Sequence, residues 1–290
     1  MFRATLSDGG WSRDLPDHRD YTRHHRRVQQ MLRPLVHRKA NSTLPDTIDL
    51  REYFGPVEDQ GDLATSCAHA CIGLIQYFER RATGHLISPS RLFLHINSRR
   101  LNGREDSKGG ASIRNTVKAA VKFGLPHERH WPYQFDSLER VPDAFVYGSA
   151  HQFRRMRYVR LDAVGKTGRE TLTDLKSFLA AGFACVAGFG IPSTIGCDPK
   201  IPYPTLFDSL YAGQAVVVAG YDDGLRVRSE KGALLIRSSW GTAWGIGGYG
   251  WLPYRYVIDR LSADIWTLTD PKWLRSGEFE HPGFAPRLMG

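Results

Sequence analysis

At 290 residues, with a formal charge of +9 and 41% hydrophobic and 24% charged content, the chain has the make-up of a globular protein with ample length for a buried core. No apolar run approaches the ~20 residues of a membrane span. Four cysteines are too few for a disulfide scaffold. Cys67 and Cys71, a helical turn apart, lack a second pair at metal-ligand spacing, so neither a metal nor a cofactor is expected; a Cys185–Cys197 pairing is left open.

The first residues, Met1 to Asp8, lack the apolar core of a secretory signal and meet an acidic residue early, which predicts a cytoplasmic location. Residues 1–45 read as a polar, histidine-rich arm or pro-segment, with Pro16 and Pro34 limiting regular structure. Nine Arg/Lys stand against four Asp there, giving +5 from the arm alone. A basic arm can seek nucleic acid or anionic lipid. This one has no aromatic interleaving and no nucleic-acid motif, so a solvated or cleft-docking segment is expected instead.

The globular part begins near Leu44–Arg51. A helix is predicted after Thr65-Ser66, because Cys71, Leu74, Ile75 and Phe78 recur at the spacing of one buried stripe. A second opens at Ser88-Pro89, with Ser88 as cap and Pro89 at the first helical position. Ile113, Val117 and Val121 define a third, which Gly124 ends. A connector with Pro126, Pro132 and Pro142 follows, then a helix carrying Leu172, Leu175, Phe178 and Leu179. Residues 181–190, 215–219 and 233–237 are short apolar runs that read as strands, with Asp222-Asp223-Gly224 as a turn between two of them. The expected organisation is an arm over 1–45, a helical subdomain over 46–150, a β-rich subdomain over 151–270 and a tail over 271–290.

Two stretches carry a resemblance. One is Gln60-Gly61-Asp62-Leu63-Ala64-Thr65-Ser66-Cys67-Ala68-His69-Ala70; the other pairs Gly213-Gln214-Ala215-Val216-Val217-Val218 with Ser238-Ser239-Trp240-Gly241. Together they resemble the papain-like cysteine peptidases, and Gly10 to Tyr21 and Trp131-Pro132-Tyr133 are similar to the bacterial branch of that family. The resemblance spans about residues 10–268. It implies an α+β fold of two subdomains, a helical half and a β-barrel-like half facing each other across a cleft. Leu63 stands where secreted members commonly carry a cysteine, in keeping with a reducing compartment.

The family uses a cysteine nucleophile at a helix N-terminus, a histidine base, an asparagine that orients it, and a glutamine that donates to the oxyanion. The gapless mapping puts Ser66 at the nucleophile, Gln214 at the histidine, Ser238 at the asparagine and Gln60 at the oxyanion glutamine. An alternative register with one inserted residue makes Cys67 the nucleophile but rotates the following helix by about 100°. Ser66 also has a purely structural reading as a helix cap. A glutamine can donate and accept hydrogen bonds but cannot carry a proton away near neutral pH. His69 is expected to be a packed helix residue, and His85, His95, His127 and His130 cannot be placed near Ser66 from sequence. Gly109 and Gly110, in Lys108-Gly109-Gly110-Ala111-Ser112, resemble a cleft wall whose backbone pairs with an extended peptide. Trp240 resembles the aromatic lid beside the histidine site.

The resulting expectation is a papain-like pseudoenzyme whose cleft binds a peptide, a protein segment or its own arm. Two rivals stand beside it: acyl-transfer or amide-forming chemistry at Ser66 or Cys67 with a base from elsewhere, and an ordinary peptidase inactivated by deliberate substitution.

Overall fold

A computed structural model of the protein describes residues 10–30, 44–101, 103 and 109–275. Helix α1, Ser66–Thr83, is the central element. Its predicted stripe of Cys71, Leu74, Ile75 and Phe78 is fully buried, and Cys67, Ala68 and Ala70 on other faces are buried too. The helix therefore runs through the core rather than along its surface. Gly84 ends it in the left-handed region at φ 75°, its N–H returning to Arg80 O at 2.7 Å.

Helix α2 covers Arg91–Leu101 and starts later than the sequence predicts. Pro89 is held in a bridge with His127, so the chain stays extended there, and the Ser90 hydroxyl accepts from Phe93 N–H at 3.1 Å in place of a Ser88 cap. Helix α3, Ile113–Phe123, is capped by Ser112 and ends at Gly124 with φ 74°. After the short α4, Ala144–Gly148, helix α5, Gly168–Ala180, opens on a capping box between Thr167 and Glu170.

The other half is one sheet. Its strands are β1 Tyr21–Thr22, β2 Thr47–Asp49, β3 Arg157–Arg160, β4 Cys185–Pro192, β5 Leu210–Val227, β6 Glu230–Arg237, β7 Tyr249–Pro253 and β8 Ser262–Thr269. They run in the order β1-β3-β8-β4-β5-β6-β7, with β2 paired to β5. All pairings are antiparallel except β1 on β3, so part of the arm is itself a strand of the sheet. Strand β5 packs on α1, and the two halves meet there. The fold is α+β with helices α1 to α3 on one side and the sheet on the other.

One further expectation is corrected, and the open question of a Cys185–Cys197 pairing is answered. Asp222-Asp223-Gly224 is not a hairpin turn: β5 runs through it with a register irregularity, the Asp222 carboxylate accepting from Gly224 and Leu225 N–H at 2.7 and 2.9 Å. The β5–β6 turn falls instead at Arg228-Ser229, with Arg228 at φ 53°. Cys185 and Cys197 are both free thiols, the first buried and the second exposed. At the C-terminal end Asp270 caps a short helix, Pro271–Leu274. Its Trp273 indole stacks on Phe78 at 4.9 Å and donates to Glu79 at 2.9 Å, docking the segment onto α1. Among the described residues no helix is long and apolar enough to cross a membrane.

Candidate functional site

Ser66 is the first residue of α1, where unpaired N–H groups and the helix dipole face the cleft. It does not act as the cap. Thr65 holds that position, without a side-chain cap bond, because its hydroxyl is engaged by Tyr133 Oη at 2.6 Å. Ser66 Oγ accepts a hydrogen bond from Ala215 N–H at 3.2 Å, tying the helix start to strand β5.

Gln214 precedes Ala215 on β5 and is fully buried, as is Gln60 at 4% exposure. The Gln214 amide donates to Gln60 Oε1 at 2.9 Å and to Ser239 Oγ at 3.1 Å, and Ser239 Oγ donates to Gln60 Oε1 at 2.6 Å. These three side chains form a closed triangle. Gln60 Nε2 turns the other way and donates to Leu63 O at 2.9 Å, so the donor expected at an oxyanion site is spent within its own loop. Ser238 lies outside the triangle: its hydroxyl donates to Gly248 O at 3.0 Å and accepts from Trp240 N–H at 3.3 Å. Gln214 Oε1 is buried with no partner among the described residues.

Cys67 is fully buried and its thiol donates to Ala111 O at 3.1 Å. Burial pushes that thiol well above its ordinary range, the reverse of what a nucleophilic thiolate needs. His69 Nδ1 sits 3.2 Å from Thr65 O and its ring packs edge-on against Tyr133; burial lowers it to about 4. Burial lowers His95 to about 3, while His130 Nδ1 pairs with Ser149 at 2.9 Å and His127 caps its own short helix. His85 is exposed. Among the described residues no imidazole is a hydrogen-bond partner of Ser66 or Cys67.

Trp240 is 8% exposed and packs against Trp244 at 4.7 Å and Phe189 at 6.5 Å. Among the described residues the wall opposite pairs with the arm through Ala111, the residue next to Gly110, and Lys108 lies outside the described residues. Trp11 bridges Ala111 in parallel: Ser12 N–H donates to Ala111 O at 3.0 Å, Ala111 N–H to Gly10 O at 3.4 Å, and Trp11 N–H to Gly213 O at 3.1 Å across the cleft. Gly10 lies directly on Ser66, so close that an added Cβ would clash with Ser66 Oγ and fall 2.7 Å from Ser66 N.

The indole of Trp11 fills a pocket that sequence reasoning missed. Gly188 and Gly213 form its walls; a Cβ at Gly188 would run into the ring, and one at Gly213 would lie 2.8 Å from Trp11 Cε3. At its base the fully buried Asp264 accepts from Trp11 Nε1 at 3.0 Å and from Asp14 N–H at 2.7 Å. Asp264 reaches this place because β8 carries one extra residue: Val186 pairs with Trp266 but Gly188 with Ala263, and Asp264 takes φ 54°. The Asp162 carboxylate accepts the N–H groups of Asp264 and Ile265 at 2.9 and 3.0 Å. Arg160, 1% exposed, bonds Asp162 at 2.9 Å and sits 2.9 Å from Asp264 as an ion pair outside hydrogen-bond alignment. Burial raises Asp264 to about 6, with Arg160 opposing the rise. The arm's acidic residues complete the attachment, Asp14 and Asp20 both pairing with Arg114 at 2.6 and 2.7 Å. A net basic segment is thus held in part by its carboxylates, with Arg23 pairing to Asp174 in the opposite sense.

Residues 44–257 match the family profile described as papain family cysteine protease, and the chain belongs to that family. It is similar to an uncharacterized peptidase C1-like protein of Acanthamoeba polyphaga mimivirus, 30% identical over 73% of this chain and 70% of the relative. Procathepsin L of Felis catus is 28% identical over 71% of this chain, which spans only 60% of that relative's length. Among solved structures, xylellain, a cysteine protease from Xylella fastidiosa, superposes with a TM-score of 0.72 at 28% identity, covering 90% of this chain and 96% of that one.

Proposed function

We propose that this papain-family chain is not a peptidase and that its cleft is a binding groove for an extended peptide segment, residues 10–14 of its own arm being one occupant. The observation that carries the reading is the surroundings of Ser66. Its oxygen accepts a backbone N–H, and the nearest family position for a base holds Gln214, whose amide is committed to Gln60 and Ser239. Acyl transfer needs a group that takes the hydroxyl proton as the bond forms. A glutamine amide does not take one at neutral pH. The alternative nucleophile Cys67 is supported less, since its thiol is buried against Ala111 O and raised by that burial. The groove, by contrast, retains the backbone donors and acceptors that pair with an extended strand.

The test is hydrolysis of a broad peptide library by the purified chain and by its Ser66→Ala and Cys67→Ala variants. The expected result is no turnover above background in any of the three. Turnover by the parent chain that either substitution abolishes would refute the reading.

A further inference from the structure

Independently of the cleft, we propose that the chain pairs with a second copy of itself through the loop between β4 and β5, the tip of each loop seating on the first residues of β5 in the other copy. The tip is Leu206-Phe207, the two middle residues of a turn closed by Asp208 N–H on Thr205 O at 3.1 Å. Such positions ordinarily carry polar residues, proline or glycine, yet these two large apolar side chains stand 101% and 99% exposed. The turn that displays them is firmly built. The Asp208 carboxylate accepts from Thr205 N–H at 2.8 Å and from the Thr205 hydroxyl at 2.9 Å, while Ser193 N–H donates to Ser209 O at 2.8 Å and closes the neck of the loop. Below it, Tyr203 Oη donates to Asp259 at 2.6 Å and Tyr256 Oη to Pro202 O at 2.7 Å, pinning the approach to the turn. Little entropy is then lost when the tip is covered.

Shape, area and charge identify what covers the tip. A two-fold pair needs one patch that holds both a projecting part and its seat, so that each contact occurs twice with the copies exchanged. Leu206 and Phe207 project; Leu210 and Tyr211, each 44% exposed at the start of β5, form a lower step beside them. Leu210 is held over Gly190, where an added Cβ would fall 3.0 Å from Leu210 Cδ1. Covering these four side chains removes roughly 500 Å² of each copy from water, toward the upper end of what monomers leave exposed. The pair then buries about 1,000 Å², the size at which a contact becomes specific. Charge argues against lipid as the occupant. Asp208 is the sole charged residue from Tyr203 to Ala212, and its hydrogen bonds to Thr205 hold the carboxyl below its ordinary range. A fixed negative charge at the root of an apolar tip is repelled by anionic headgroups. In a contact between copies it is already satisfied by Thr205 and Ser193.

The test is sedimentation velocity of the full chain from about 1 to about 300 µM, the range in which a contact of this size dissociates. The parent is expected to pass from monomer to dimer, and a Leu206→Ser/Phe207→Ser chain to dimerise at least about a hundredfold more weakly. Both side chains are as exposed as in an extended chain, so the double variant folds as the parent does, which an unchanged thermal unfolding midpoint verifies. Tyr211→Asp alters the seat and leaves the tip intact; it is expected to weaken the pair at least about tenfold. A parent that stays monomeric throughout overturns the proposal, as does a dimer of parent strength in either variant. Growth beyond the dimer overturns the two-fold arrangement. Flotation with phosphatidylcholine/phosphatidylserine vesicles is expected to leave the parent unbound; binding that the double variant loses would overturn the proposal and assign the tip to lipid.

Discussion

Substituting Gly10 by valine asks how firmly the arm is seated. The new Cβ falls 2.7 Å from Ser66 N, and that nitrogen belongs to the first turn of the most deeply packed helix, so the arm rather than the helix must move. A retreat of about 1 Å stretches every contact made by the neighbouring residues beyond hydrogen-bond length. Three backbone bonds are at stake, Ser12 N–H to Ala111 O, Trp11 N–H to Gly213 O and Ala111 N–H to Gly10 O, together with the indole bond to Asp264. Counting ~0.5–1.5 kcal/mol for each neutral bond and ~1.5–3 kcal/mol for the charged one, the arm loses about 3 kcal/mol or more. That corresponds to a rise of at least ~10² in the opening constant of the segment. Hydrogen exchange of the Trp11 and Ser12 amides should accelerate by that factor, while the Leu74 and Ile75 amides in α1 keep the parent's protection and report an intact core. Parent-like protection at Trp11 and Ser12 in the Gly10→Val chain would refute the assignment of the arm to the cleft.

A thiol placed at the helix start should behave unlike the three buried cysteines. In a Ser66→Cys chain, alkylation of residue 66 by iodoacetamide is expected to be slow beneath Gly10 and at least tenfold faster once Gly10→Val is added, because the helix N-terminus favours a thiolate that solvent can reach; exposed Cys197 serves as the internal reference, and equal rates with and without the second change would contradict this. Stability should also depend on pH through buried histidines. His69 and His95, lowered to about 4 and about 3 by burial, bind protons more readily when unfolded, so their contribution is present above ~6.5 and is lost as pH falls, at up to ~1.4 kcal/mol per pH unit for each. Asp264, raised to about 6, acts in the opposite sense: its contribution is present below ~3.8 and lost as pH rises through about 6. Between about pH 4.5 and 6 two histidines oppose one carboxylate, and urea unfolding should show stability rising with pH. The rise should vanish in a His69→Gln/His95→Gln chain, and its persistence there would assign it to other groups.

The central helix was legible in the sequence because periodicity reports burial directly, and Cys71, Leu74, Ile75 and Phe78 are all fully enclosed. Its end at Gly84 and the end of α3 at Gly124 are marked by the residue type that tolerates positive φ. Ser88-Pro89 misled because capping chemistry is local while the bridge of Pro89 to His127 comes from a distant loop. Asp222-Gly224 misled for a related reason: Asp-rich turn chemistry serves a strand irregularity as well as a hairpin. At the candidate site, Gln60, Ser66 and Gln214 were singled out through linear motifs. The partners that fix them were not, since Ser239 meets Gln60 only through the fold. Asp264 left one faint signal, an aspartate inside the strand-forming run Ala263 to Leu268, where that residue type is disfavoured. Nothing in the linear sequence pointed from it to Trp11, which lies 253 positions away.

The additional residue in β8 affects how the recess that holds the Trp11 indole can be passed on or dismantled. Exchanging Asp264 for another amino acid alters what the recess accepts but leaves the strand's length, and hence the recess, in place. Erasing it altogether takes a deletion of one codon, a rarer event than a point change, and that deletion would invert the facing of every residue on one side of the kink. Descendants of this chain would therefore diversify their preferences by substitution long before they lost the cavity that expresses them.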